Sequence, residues 1–201
     1  IPDALPKEYA DELAALQADA PAMGWLFVKR RMRSELGNEW EKKFESFDKN
    51  AYSAASLGQV HQAKLDSEKV AVKLQYPDMD SAINADLNQL KLVFSLYERI
   101  DSAISTKDIF TELSDRLREE LDYNREALNM KLYRLMLAGE NKVVLPKPID
   151  DLTTSRVLTM SWVDGLKLMK YLEREPSQND RTKVAINMFR TWYVPFYYYG
   201  V

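Results

Sequence analysis

Between Ala51 and Tyr76 the chain reads AYSAASLGQVHQAKLDSEKVAVKLQY, a loop of small residues followed by two β-rich runs, and this stretch constrains the fold more than any other. Gln59 to Leu65 and Lys69 to Tyr76 are rich in strand formers. Asp66, Ser67 and Glu68 separate them, which predicts a hairpin closed by a short polar turn. Side chains alternate along a strand, so Val70, Val72, Leu74 and Tyr76 fall on one face and Ala71, Lys73 and Gln75 on the other. An alanine and a lysine therefore share a face.

Val70-Ala71-Val72-Lys73 has the pattern of the protein-kinase strand whose alanine lets an adenine ring approach and whose lysine pairs the α- and β-phosphates. A compact ammonium on a long stem suits that task, because it reaches a phosphate from the wall of a cleft. The bland alternative is a surface lysine on a half-exposed strand. The loop separates the two readings. An ordinary kinase carries a glycine-rich loop here, whereas this chain has Ser53-Ala54-Ala55-Ser56-Leu57-Gly58-Gln59-Val60, with one glycine and two alanines. Such a loop is stiffer, since alanine avoids the positive-φ conformers that glycine visits. It is expected to hold a nucleotide in a different pose and to obstruct a bulky protein substrate.

Composition narrows the classes. The chain has 201 residues, enough for one or two domains, and 46% hydrophobic residues support a core. A net charge of −3 argues against a generic nucleic-acid binder, which needs a basic excess. Cysteine is absent and histidine occurs once, which argues against disulfides, thiolate metal sites and His-based metal sites. The histidine, His61, lies on the strand after the loop and reads as a packed or surface residue. No stretch reaches the roughly 18 apolar residues of a membrane helix. The start at Ile1, without methionine, predicts an excerpt of a longer protein.

Helical patterns flank the hairpin. Leu5 to Ala20 reads as a helix ended by Pro21. Gly24 to Leu36 reads as a second helix, with apolar Trp25, Phe27, Val28, Met32 and Leu36, a solvated basic face, and a left-handed cap at Gly37-Asn38. A helix from Pro77 repeats Met79, Ile83, Leu87, Leu90, Phe94, Tyr97 and Ile100. One long helix is expected over Lys107 to Ala138, with a core stripe of Ile109, Leu113, Leu117, Leu121, Leu128, Leu132 and Leu135. Asp115, Glu119, Asp122 and Glu126 share another side of it. Such like charges repel unless a cation is near, and Lys73 is the expected one, opposite Glu126. A solvated acidic face is the bland alternative. Val143 to Pro146 and Arg156 to Val163 read as further strands, and Leu166 to Glu173 and Gln178 to Tyr199 as helices, the latter capped by Asn179 or Asp180 and bent by Pro195.

The loop AASLGQVHQAKL with VAVKLQYP, the run Glu119 to Asn129, the segment Val157 to Gly165 and the opening Leu5-Pro6-Lys7-Glu8-Tyr9 together resemble the UbiB family, also called AarF or coenzyme Q8-type, of atypical kinase-like proteins. The resemblance covers essentially the whole chain. It implies an α+β fold: a protein-kinase-like N-lobe with a small antiparallel sheet and a long helix, additional N-terminal and inserted helices, and the start of a helical C-lobe. Three segments are expected: an N-terminal helical extension over 1–50, the lobe over 51–163 with its inserted helix at 78–101, and hinge and first C-lobe helices over 164–201.

The same resemblance implies a nucleotide site of Ala54, Ala55, Ser56, Gly58, Gln59, Val60, Ala71, Lys73 and Glu126, closed by a hinge at Met160, Ser161, Trp162 and Val163. Ser161 stands where the family usually has glutamate. Glu120 and Asp122 match the family's E-x-D motif, whose partner is an N-terminal K-x-G-Q segment. ATP or ADP is the implied cofactor, with Mg²⁺ in the full-length protein, and lipid or quinone-pathway proteins are the implied partners. Location would be cytoplasmic or peripheral to the inner membrane in a bacterium, and on the matrix side of a mitochondrion in a eukaryote. The family's catalytic loop and D-F-G motif are not among these residues, so no catalytic residue or metal ligand is assigned. Two readings stay open: the nucleotide-binding lobe of an atypical kinase or ATPase in ubiquinone metabolism, and a non-catalytic, pseudokinase-like module that binds a protein or lipid partner.

Overall fold

The computed structural model describes residues 22–55, 57–100 and 106–201. The expected first helix, the Leu5 to Tyr9 opening and Ser56 lie outside the described residues.

The predicted hairpin forms from β3 (Gly58–Leu65) and β4 (Glu68–Gln75), with Leu65 opposite Glu68. The turn is tighter than the sequence implied. Only Asp66 and Ser67 span it, at φ 48° and 65°. Positive φ at both central residues is the requirement of the two-residue turn whose twist matches that of paired strands, and aspartate is among the residues that accept it. The short strands β1 (Ser46–Phe47) and β2 (Ser53–Ala55) both pair with β3, and β5 (Val157–Ser161) pairs with the far side of β4, all antiparallel. The result is a five-stranded sheet in an α+β fold. Val143 to Pro146 does not add a strand. Only Pro148 bridges to Met160, and Pro146 and Pro148 lack the donors a ladder needs.

One face of the sheet is structural. Val70, Val72 and Leu74 of β4 pack with Ala63 and Val157 against Val28 and Met32 of helix α1 (Trp25–Leu36) and against Trp40 and Phe44. Val28 and Met32, one turn apart, are completely buried, which fixes the inward stripe of α1. Gly37 ends the helix at φ 90° and ψ 172°, a positive-φ extended conformation and not the left-handed helical cap expected. On this face also lie Gln59 and His61, both fully buried. His61 accepts from Gln59 Nε2 at 2.8 Å through its Nε2 and donates from Nδ1 to the carbonyl of Asp48 at 2.8 Å. These bonds satisfy a neutral imidazole, and burial lowers its pKa below the ordinary histidine value. Gln59 Oε1 in turn accepts from the Met23 amide at 2.6 Å, tying the chain before α1 to the sheet.

The other face carries Val60, Ala71, Lys73 and Leu158, and here the helices differ from the sequence reading. Helix α2 (Met79–Ile100) buries Ile83 and Leu87, and is longer than any other described helix. The expected Lys107 to Ala138 helix is two helices, α3 (Lys107–Glu119) and α4 (Tyr123–Met136). The i→i−4 ladder stops at Tyr123, whose amide donates to the Ser155 carbonyl at 3.0 Å, while the Asp122 carboxylate caps α4 by accepting from Asn124 N at 3.0 Å. Aspartate inside a helix competes for backbone donors in this way, and at a helix start it is favoured. The break rotates the second half, so the leucine stripe is not a core stripe. Leu128 and Leu135 are exposed, while Tyr123, Ala127 and Met136 are buried.

Helix α5 (Leu168–Leu172) and α6 (Gln178–Val194) follow, the latter capped by Ser177 and not by Asn179 or Asp180. Beyond Val194 the helix widens into a π-helical turn, Pro195–Tyr199, consistent with a proline that cannot donate to the α ladder. Arg190 clamps α6 to Glu140, past the end of α4, through two bonds of 2.6 Å.

Candidate functional site

Lys73 sits in the middle of β4 with Leu158 of β5 opposite it, on the face turned to α4. Its ammonium contacts both carboxylate oxygens of Glu126, at 2.7 and 2.9 Å. The lysine is 18% exposed and the glutamate 39%, so the pair lies at a cleft wall and not in the core. The Tyr123 ring forms the floor, with its centroid 4.5 Å from Nζ. A cation over an aromatic face is attracted by the ring quadrupole. Tyr123 Oη is buried without a partner among the described residues, and burial followed by the Glu126 charge pushes its pKa upward. The phenol therefore stays neutral and serves as a platform for the lysine. Sequence reasoning missed Tyr123. The signal was its position three residues before Glu126, which places both on one side of a helix.

The other acidic residues of the expected stripe are distributed by the helix break. Glu119 pairs with Arg116 at 3.2 Å and Arg125 at 2.8 Å, Asp122 caps α4, and Glu120 lines a cavity of about 350 Å³ beside Lys73, Glu126 and Leu57. A second cavity of about 500 Å³ opens on the same sheet face. Val60 and Ala71 form its roof, and Met160, Ser161, Trp162 and Val163 its edge. Both volumes fall in the usual range for small-molecule sites, roughly 300 to 1,000 Å³. The larger cavity is mostly apolar where Ala71 leaves room for a flat ring. The smaller one is charged.

The Met160 to Val163 stretch is anchored from outside. Ser161 donates its amide to the Lys147 carbonyl and accepts from the Lys147 amide through Oγ, each at 2.8 Å. Ser161 thus secures the neighbouring segment. Trp162 is held by its Nε1 on Asp164 at 2.9 Å and by the edge of Tyr52, 4.7 Å away.

Not every expected residue reaches the cleft. Ala54 and Ala55 belong to β2, opposite Gln59 and Gly58, and line neither cavity. Gln59 shares its face with Val72 and Leu74, so its side chain turns to Met23 and away from Lys73. Gly58 has a packing role, since a Cβ there would stand 2.1 Å from the Leu74 carbonyl oxygen and 3.0 Å from Tyr123 Oη. Ser56 lies outside the described residues. No group of three or more His, Asp or Glu side chains able to hold a metal forms among the described residues.

A small antiparallel sheet and a helix whose glutamate meets a strand lysine define the N-terminal lobe of a kinase-like protein. Residues 15–201 match the ABC1 atypical kinase-like domain, and the chain belongs to that family. It is 32% identical over 187 residues to the mitochondrial atypical kinase COQ8 of Saccharomyces cerevisiae, covering 92% of this chain and 37% of the relative. Identity is 41% over 140 residues with mitochondrial coq-8 of Caenorhabditis elegans, covering 69% of this chain and 18% of the relative. The chloroplastic Activity of BC1 Complex Kinase 8 of Arabidopsis thaliana is 33% identical, over 91% of this chain and 25% of its own. Among solved structures, that of Rv3197 with erythromycin from Mycobacterium tuberculosis superposes with a TM-score of 0.69 at 26% identity, covering 88% of this chain and 45% of that one. The chain thus spans less than two-fifths of the length of the curated relatives named here. Among the described residues, no helix is long and apolar enough to cross a membrane.

Proposed function

We propose that this chain forms the nucleotide-binding lobe of an ABC1-family atypical kinase or ATPase that acts in ubiquinone or related quinone metabolism. The observation that carries the reading is the bidentate Lys73–Glu126 pair at 2.7 and 2.9 Å, with the Ala71-roofed cavity beside it. The adenine would lie between Val60 and Ala71 above and the backbone of Met160 to Val163 at the edge. The α- and β-phosphates of ATP or ADP would meet Lys73, which Glu126 and Tyr123 orient. Ala54, Ala55, Ser56 and Gly58 would shape the loop over the phosphates, and Glu120 and Asp122 would face the family's K-x-G-Q segment. Mg²⁺ neutralises phosphate charge when bound, and its ligands would come from outside the described residues. The quinone role rests on the relatives named COQ8, and a membrane-peripheral location fits that role.

Calorimetric titration of the full-length protein with MgADP and MgATP tests the reading. Both should bind, and Lys73→Ala should weaken each by about ten- to a hundredfold, the loss of one charge-assisted contact of about 1.5–3 kcal/mol. Absence of binding to either nucleotide in the unsubstituted protein would overturn it.

A further inference from the structure

Gln75 is the last residue on the lysine face of β4, two positions beyond Lys73 and so about 7 Å along the strand. It is 2% exposed. A buried amide must be satisfied, and Gln75 Nε2 donates at 2.9 Å to the carbonyl of Leu121. That carbonyl belongs to the elbow where α3 has ended and α4 has not begun, one of the helix-end acceptors with no partner in its own helix. The neighbouring Tyr123 amide donates to Ser155, just before β5. Strand and helix are therefore joined at separate points: Gln75 to Leu121 and Ser155 to Tyr123 at the elbow, and Lys73 to Glu126 one turn into α4.

We propose that Gln75 is a positioning residue for the cleft: by tying the elbow to the strand that carries Lys73, it fixes where α4 starts and holds Glu126 on the lysine. Ordinary protein kinases control this pair by the placement of the glutamate-bearing helix. Here the start of that helix is bound to the sheet, so the pair stays closed without a swing, and control of the site must act through the elbow. The consequence for nucleotide binding rests on the function proposed above, whereas the positioning itself does not.

The test reads Lys73 without nucleotide. The full-length protein is treated with a small amine-acylating reagent, and modification of Lys73 is followed by mass spectrometry against exposed Lys64 and Lys69 as internal references. Gln75→Met keeps the length of the side chain and removes the donor. It should raise the modification rate of Lys73 several-fold over the references and speed amide exchange at Tyr123 to Ala127, and in a Glu126→Gln background it should add nothing. If Gln75→Met does not fold, Gln75→Leu also removes the donor within a similar volume, and the same rise is expected. Unchanged Lys73 modification in a folded variant of either kind would reduce Gln75 to a core filler and overturn the proposal. MgATP protection of Lys73 in the unsubstituted protein is a separate readout, so failure of the nucleotide reading leaves the positioning result intact.

Discussion

At the scale of single residues, the chemistry of the cleft depends on what each side chain is denied as much as on what it touches. Gly58 is denied any side chain by the Leu74 carbonyl. Gly58→Ala should destabilise the lobe by about 1–3 kcal/mol, the usual range for overpacking, read as a lower urea midpoint. His61 is denied solvent, and its folded pKa lies below its unfolded value near 6.5. The unfolded chain therefore binds the proton more readily, and stability falls as pH drops from 6.5 toward the folded pKa. Urea titrations of this chain at pH 7.5 and 5.5 should show that loss. Because histidine occurs once, His61→Gln should flatten the dependence within this window, and an unaltered slope would assign the loss to carboxylates.

Among the elements, the hairpin and its lysine were legible because strand alternation, a polar turn and a recognisable tetrapeptide agree over Gln59 to Tyr76. The Lys107 to Ala138 segment was not, because its apolar residues continue at helical spacing across a break containing neither proline nor glycine. What breaks the helix is a cap, Asp122, and a tertiary hydrogen bond from Tyr123 to Ser155, a residue 32 positions away by number. Hydrophobic periodicity carries no trace of such a partner. Asp122→Ala should cost about 1 kcal/mol by removing the cap, measured by denaturant unfolding. Gln59 was misplaced for a related reason: the resemblance assigned it to the nucleotide, whereas its register opposite Leu74 turns its side chain to the α1 face and Met23. Ala54 and Ala55 both avoid positive φ. Replacing either with glycine should loosen the loop by about 0.4–1 kcal/mol. In the full-length protein this should alter the ratio of ATP to ADP affinity, and equal ratios in both proteins would make the alanines simple strand formers.

Across the whole molecule, the sheet divides the labour between its faces. The α1 face, with Trp40, Phe44 and the Gln59–His61–Asp48 chain, holds the lobe together, while the α4 face presents Ala71 and Lys73 to the two cavities. The most direct measurement is therefore chemical mapping of the lysine by nucleotide itself. An ATP acyl-phosphate, which delivers its acyl group to an amine lying against the phosphates, should modify Lys73 of the full-length protein in preference to Lys64, Lys69 or Lys131, and excess MgATP or MgADP should block the reaction. Modification spread evenly over the surface lysines, or modification of Lys73 that neither nucleotide suppresses, would contradict the assignment of this cleft to a nucleotide.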